Sequence, residues 1–77
     1  MLAYVLINVP ARESGSVVKW LREKKGVAEA WAIYGSYDII AKVDVDDYKT
    51  LNNLVMETVQ GNPQIRSTNT FLVIETI

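Results

Sequence analysis

The sequence predicts an α+β fold in which four strands and two helices alternate as βαββαβ, with both helices on one face of an antiparallel sheet. Three observations carry this. Apolar, β-favouring runs occur in four segments and helical periodicity in two. Gly and Pro punctuate the boundaries between them. A chain of 77 residues is the length of one small domain, read here as a single unit over residues 1–77.

Met1–Val9 (MLAYVLINV) is a short apolar run stopped by Pro10, which argues a buried strand more than a helix. From Ser14 the period changes: Val17, Val18, Leu21 and Lys25 fall at i, i+1, i+4 and i+8, opposite Lys19, Arg22 and Glu23. An amphipathic helix is expected there, capped by Ser14 or Ser16, with Lys24 and Lys25 in its last turn and Gly26 as its C′ residue. Val27–Tyr34 (VAEAWAIY) reads as a second strand and Tyr37–Val45 (YDIIAKVDV) as a third. Gly35 and Ser36 between them fit a two-residue loop of the II′ kind, so the two strands should pair antiparallel. Asp46 or Asp47 caps a second helix with the apolar stripe Tyr48, Leu51, Leu54, Val55 and Val59, ended by Gly61 and Pro63. Ile65–Ile74 (IRSTNTFLVI) supplies the fourth strand. This is the split βαβ, ferredoxin-like arrangement, with expected strand order 4-1-3-2.

Composition narrows the chemistry. The chain is 49% hydrophobic and 22% charged, the balance of a folded domain. It contains neither Cys nor His, which removes disulfides, thiolate or imidazole metal sites, Cys or Ser/His catalysis and the commonest general base. No cofactor is expected. Eight Lys and Arg against nine Asp and Glu leave a net charge of −1, whereas a nucleic-acid binder shows a basic surplus, so direct DNA or RNA binding is disfavoured. The N-terminal run lacks the basic flank and cleavage site of a signal peptide, and no stretch approaches the ~18–20 apolar residues of a membrane span. No membrane partner and a cytoplasmic location are therefore expected. A domain this small gains only ~3–5 kcal/mol from its own core and usually needs disulfides, metals or association to do better; association is what remains.

The strand faces point the same way. Two helices cover one face of the sheet, so a monomer should show a polar second face. On the first strand, Ala3, Val5, Ile7 and Val9 point one way and Leu2, Tyr4 and Leu6 the other, and both sets are apolar. The fourth sets Phe71 and Val73 against Leu72 and Ile74; on the third, Ile39, Ala41 and Val43 oppose Ile40, with Asp38 and Lys42 nearer the ends. An apolar sheet face on a folded protein marks an interface, here face-to-face packing of two copies of the chain.

Two polar clusters could carry binding. In Tyr34-Gly35-Ser36-Tyr37-Asp38, the turn explains Gly35, but Asp38 opens an otherwise apolar strand, where a carboxylate must be paired or hydrogen-bonded. It either accepts from turn N–H groups or is aimed at a cationic ligand group such as an α-ammonium. In Ser67-Thr68-Asn69-Thr70, Thr68 and Thr70 share a face and offer hydroxyls suited to a carboxylate, although Thr is also simply a good strand residue. Asp44, Asp46 and Asp47 lack the Gly and Glu of a Ca²⁺-binding loop and are read as helix caps. The basic residues around the first helix are interleaved with Glu13 and Glu23, a solvated face, and Trp20 and Trp31 are packing or interface anchors.

Taken together, the βαββαβ order, the hairpin with its G-x-Y-D pattern, the following Ile39-Ile40-Ala41-Lys42-Val43 and the Ser67-Thr68-Asn69-Thr70 strand resemble the effector (RAM) domain of Lrp/AsnC regulators. The resemblance runs from Ala3 to about Ile74. It implies amino-acid sensing at subunit interfaces, dimers built sheet to sheet, and assembly into rings, often octamers or decamers. Carried over, Gly35, Ser36 and Tyr37 would supply loop and backbone contacts, and Asp38 would pair with the ligand ammonium. Thr68 and Thr70, with Ser67 beside them, would help hold the ligand from a neighbouring subunit. The Ser67-Thr68-Asn69-Thr70 segment departs from the more usual T-S-T pattern. Full-length regulators of the family carry a helix-turn-helix domain; this sequence opens directly on the first strand, so it resembles a stand-alone form whose partners would include such regulators.

Other classes fit less well. Dimeric ferredoxin-like enzymes would need His, Asn or Trp in a cavity, and His is absent, so no enzyme activity is expected. ACT-type modules carry a Gly-rich turn after the first strand, which Asn8-Val9-Pro10-Ala11-Arg12 does not supply. An RNA-recognition domain would need stacking aromatics on a basic sheet face. A ligand-free oligomerisation partner of full-length regulators is the nearest rival reading.

Overall fold

The computed structural model describes residues 1–74. In order it contains β1 (Leu2–Asn8), a 3₁₀ turn (Ala11–Glu13), α1 (Ser14–Arg22), β2 (Val27–Ala32), β3 (Ile39–Asp44), α2 (Tyr48–Gly61) and β4 (Ser67–Leu72). The strands form one antiparallel sheet in the order β2-β3-β1-β4, the expected 4-1-3-2 read from the other edge. The ferredoxin-like topology therefore holds.

Period-two alternation sets the core. Ala3, Val5 and Ile7 of β1 and Ile39, Ala41 and Val43 of β3 are buried beneath the helices, with Ile7 directly opposite Ile39. Val17, Val18 and Leu21 from α1 and Leu51 and Leu54 from α2 close over them. β2 is thinner. Only Ala30 of this strand is buried, and a register shift between Val27 and Glu29 bulges it at Ala28.

Several element ends differ from expectation, each for a local reason. Neither Ser14 nor Ser16 caps α1: the 3₁₀ turn has already used the Glu13 and Ser14 N–H groups on Pro10 and Ala11 carbonyls, so Ser14 is the first helical residue. Ser16 instead donates back to the Glu13 carbonyl at 3.0 Å. α1 stops at Arg22, which leaves Lys24 and Lys25 outside the helix. Gly26, at φ +97°, serves a separate turn closed by Val27 N–H to Lys24 O, and is not the C′ residue. In α2, Asp47 is the cap, accepting from Thr50 N–H at 2.8 Å. The buried stripe is Leu51, Leu54 and Thr58, with Val55 partly buried, while Tyr48 and Val59 are exposed. Thr58 fits among apolar neighbours because its hydroxyl donates to the Leu54 carbonyl at 2.7 Å. β4 begins at Ser67, two residues late, since Ile65 N–H is held by Asn62 O in the preceding turn.

The second face of the sheet is not covered by a helix. One row across it reads Asn69, Leu6, Ile40, Trp31 and the next Phe71, Tyr4, Lys42, Glu29. Trp31 and Phe71 are each about half exposed. The one cation in these rows is matched: Lys42 lies 3.7 Å from Glu29, which also accepts from the Trp31 indole N–H at 3.1 Å. Arg22 stacks on the Trp31 ring at 4.8 Å and donates to Ala30 O at 3.0 Å, fixing β2 to α1.

Candidate ligand-binding site

The loop between β2 and β3 is wider than a two-residue turn. The ladder closes with Ile33 N–H to Asp38 O at 2.9 Å, leaving Tyr34–Tyr37 beyond it. The register is centred on Gly35-Ser36 as expected, but no hydrogen bond joins Tyr34 to Tyr37 among the described residues. Gly35 has φ +127° with open space around it, and Tyr34 is fully exposed at the tip.

Asp38 is tied at both ends to β1. Its N–H donates to Ile7 O at 3.0 Å, and its Oδ2 accepts from Val9 N–H, also at 3.0 Å. The carboxylate thus satisfies a backbone donor, but one on β1 and not in its own turn. Oδ1 has no protein partner among the described residues. An open hollow of about 590 Å³ lies between this loop and the start of α1. Asp38, Gly35 and Ser14 give it polar groups, and Ala11, Ala32 and Ile33 give it apolar walls. A carboxylate acceptor beside a hydroxyl and exposed loop backbone is chemistry suited to a small zwitterion.

The second cluster stands apart. Thr68 and Thr70 face the helix side, opposite Ile7 and Val5. Thr68 borders a gap of about 10 Å³ under α2, near Thr58. Ser67 accepts from the Asn8 side-chain amide at 2.9 Å. Ser67 and Asp38 flank Asn8 from opposite strands, so by strand spacing roughly 10 Å separates them. A single chain does not gather the Asp38 and Thr68/Thr70 groups into one pocket. Ser36 is exposed at the loop tip.

Sequence reading passed over two residues here. Ser14, expected from sequence only as a cap, lines the hollow. Asn69 donates to the Tyr37 hydroxyl at 3.1 Å, joining the two clusters across β1. Its signal was available only once strand order was known, because thirty-two positions separate the partners. Elsewhere, hydrogen bonds from Thr50 hold the Asp47 carboxyl below the usual carboxylate range, as a helix cap. Among the described residues there is no acidic cluster able to hold a metal, and no helix is long and apolar enough to cross a membrane.

A family model, that of the Lrp/AsnC ligand binding domain, matches residues 2–77. Homocitrate synthases of Saccharolobus islandicus are 38% identical over 60 residues, which is 78% of this chain and only 13% of the enzymes' length. A hypothetical protein from Pyrococcus horikoshii superposes with a TM-score of 0.86 at 32% identity, covering 96% of this chain and 90% of that one. E. coli AsnC superposes at 0.88 with 25% identity, over 97% of this chain and 51% of the regulator. A Neisseria meningitidis transcriptional regulator, solved as an L-Met complex, shares the fold at 18% identity and a TM-score of 0.79, over 99% of this chain and 51% of its own.

Proposed function

The chain belongs to the Lrp/AsnC ligand-binding domain family, and on that premise we propose that it is an effector-sensing and assembly module that binds a small amino acid between subunits and catalyses nothing itself. The observation that carries this is Asp38. One carboxylate oxygen is committed to Val9 N–H, which fixes the group, and Asp38 lines an open hollow that also has a hydroxyl and apolar walls. A fixed anion of this kind suits an α-ammonium.

The hollow is open on one side, and the Thr68/Thr70 hydroxyls lie elsewhere on the chain. Both facts fit a site completed by a neighbouring copy. The uncovered row Leu6, Ile40, Trp31 supplies the surface for sheet-to-sheet dimers, which then build rings of eight or ten chains. A ligand that binds the assembled form better stabilises it by mass action, so effector and assembly are coupled. The family model that matches is that of a ligand-binding domain, and the matching stretch in homocitrate synthases is a small part of the enzyme. A ligand-binding domain that recurs as a small part of a larger polypeptide supports a sensing role, which the chain would exert in the cytoplasm on itself or on full-length regulators of the family.

Calorimetric titration with each of the twenty amino acids, alongside light scattering, tests the reading. Asp38→Asn keeps an oxygen for Val9 N–H and removes the charge. One amino acid should bind and shift the assembly, and Asp38→Asn should weaken it roughly 10- to 100-fold. If the variant binds as tightly as wild type, or no amino acid binds at all, the sensing function is wrong and a ligand-free scaffold takes its place.

A further inference from the structure

We infer that Asn69 is a positioning residue for the Asp38 carboxylate, acting through the Tyr37 hydroxyl; as a statement about ligand affinity this rests on the function proposed above. The β2–β3 ladder ends at the Ile33–Asp38 bond, and the four residues beyond it have little else to hold them. A Cβ built on Gly35 would meet nothing within 4 Å, and Tyr34 is bare to solvent. Two side-chain bonds fix the loop's return to β3: Asp38 Oδ2 to Val9 N–H at 3.0 Å, and Tyr37 OH to Asn69 Nδ2 at 3.1 Å. Both end on strands other than the loop's own, β1's end and β4, so the loop is braced against the rest of the sheet.

Asn69 is suited to the task by its length and its position. It sits opposite Leu6, on the uncovered face, while its neighbours Thr68 and Thr70 point to the helix side. Tyr37 spans the width of β1 to reach it. A serine here would carry its polar atom one bond closer to the backbone and fall short of the phenol. Because Tyr37 directly precedes Asp38, releasing the phenol frees the residue beside the carboxylate and blurs the direction in which Oδ1 is held. Preorganisation of that kind is felt as affinity.

The test reads the carboxylate without any ligand. Val9 N–H is protected by Asp38 Oδ2, so its hydrogen-exchange rate reports the carboxylate's placement, while the mid-sheet Ala41 amide reports overall stability. Asn69→Ser and Tyr37→Phe should each speed Val9 exchange roughly three- to tenfold relative to Ala41, and the double variant should go no further than either alone. Asn69→Asp, which can accept from the phenol in place of donating to it, should restore slow exchange. Additive effects, or Val9 and Ala41 accelerating together, would overturn the assignment. A second arm measures the dissociation constant of whichever of the twenty amino acids wild type binds. It should rise by the same factor in Asn69→Ser with the mass by light scattering unchanged, and an unaltered constant would likewise overturn it. If wild type binds none, the proposed function falls while the exchange arm still decides the role of Asn69.

Discussion

Three glycine-to-alanine changes add the same methyl group in three settings and should give three different results. At Gly26, with φ +97°, a Cβ would sit 3.1 Å from both Leu54 Cδ2 and Val45 Cγ1. The left-handed backbone costs an L residue about 1–2 kcal/mol, and crowding two core side chains adds about 1–3 kcal/mol. Gly26→Ala should therefore destabilise by roughly 2–5 kcal/mol, lowering Tm by roughly 10–40 °C in a domain of this size. At Gly35, φ is +127° but nothing lies within 4 Å, so only the backbone cost of about 1–2 kcal/mol applies. At Gly15, in the first turn of α1, the space is open and the backbone helical; alanine should stabilise by about 0.5–1 kcal/mol. Urea unfolding followed by the fluorescence of Trp20 and Trp31 measures all three. Protein concentration must be held fixed, because association shifts apparent stability. If Gly35→Ala costs as much as Gly26→Ala, the crowding against Leu54 and Val45 is not real and the placement of α2 over that turn is wrong.

Other outcomes follow from the same geometry. Leu6→Glu puts a charge in the middle of the uncovered row between Asn69 and Ile40, and light scattering should show the assembly falling apart with the circular dichroism of the fold retained. Hydrogen bonds from Thr50 favour the charged form of Asp47, whose folded pKa therefore lies below the unfolded value; its contribution is present above the ordinary carboxylate range and is lost as pH falls through the folded pKa. Asp47→Asn should keep the cap while flattening that acid branch of a Tm-against-pH curve. Thr58→Val removes a hydroxyl whose acceptor, Leu54 O, is part of the helix, so thermal melting should place it within about 1 kcal/mol of wild type.

What could be read ahead of the structure was whatever depended on period. The alternation in β1 and β3 sorted their residues onto two faces, both apolar, without saying which lies under the helices, and strand order followed from topology rules. What escaped was set by competition for hydrogen bonds at element ends. Ser14 looked like a cap because nothing in the sequence announces that a 3₁₀ turn will use the same N–H groups first. Tyr48 and Val59 lie on the apolar side of a helical wheel, yet the buried centre of α2 is displaced toward Thr58, a polar residue that satisfies itself. The site was legible in part. Asp38 stood out as a carboxylate in an apolar strand, but its partner, Val9 N–H, lies just past the end of β1, and Asn69, the partner of Tyr37, lies on β4. Partners of that kind become visible only when register is known.

The middle position of β1 in the sheet has a consequence in time. It pairs with β3 on one side and with β4 on the other. During synthesis at about 5–20 residues per second, the roughly sixty residues between β1 and β4 take about 3–12 s to emerge. Until β3 emerges β1 has neither partner, and from then until β4 it can pair along one edge only, with the backbone groups of the other unsatisfied beside an apolar face. Neighbouring ribosomes on one message present the identical unpaired edge. The topology that gives a well-buried central strand thus makes nascent chains mutually adhesive until β4 arrives, and charged substitutions that weaken early pairing should show first as lower soluble yield, before any change in the finished fold.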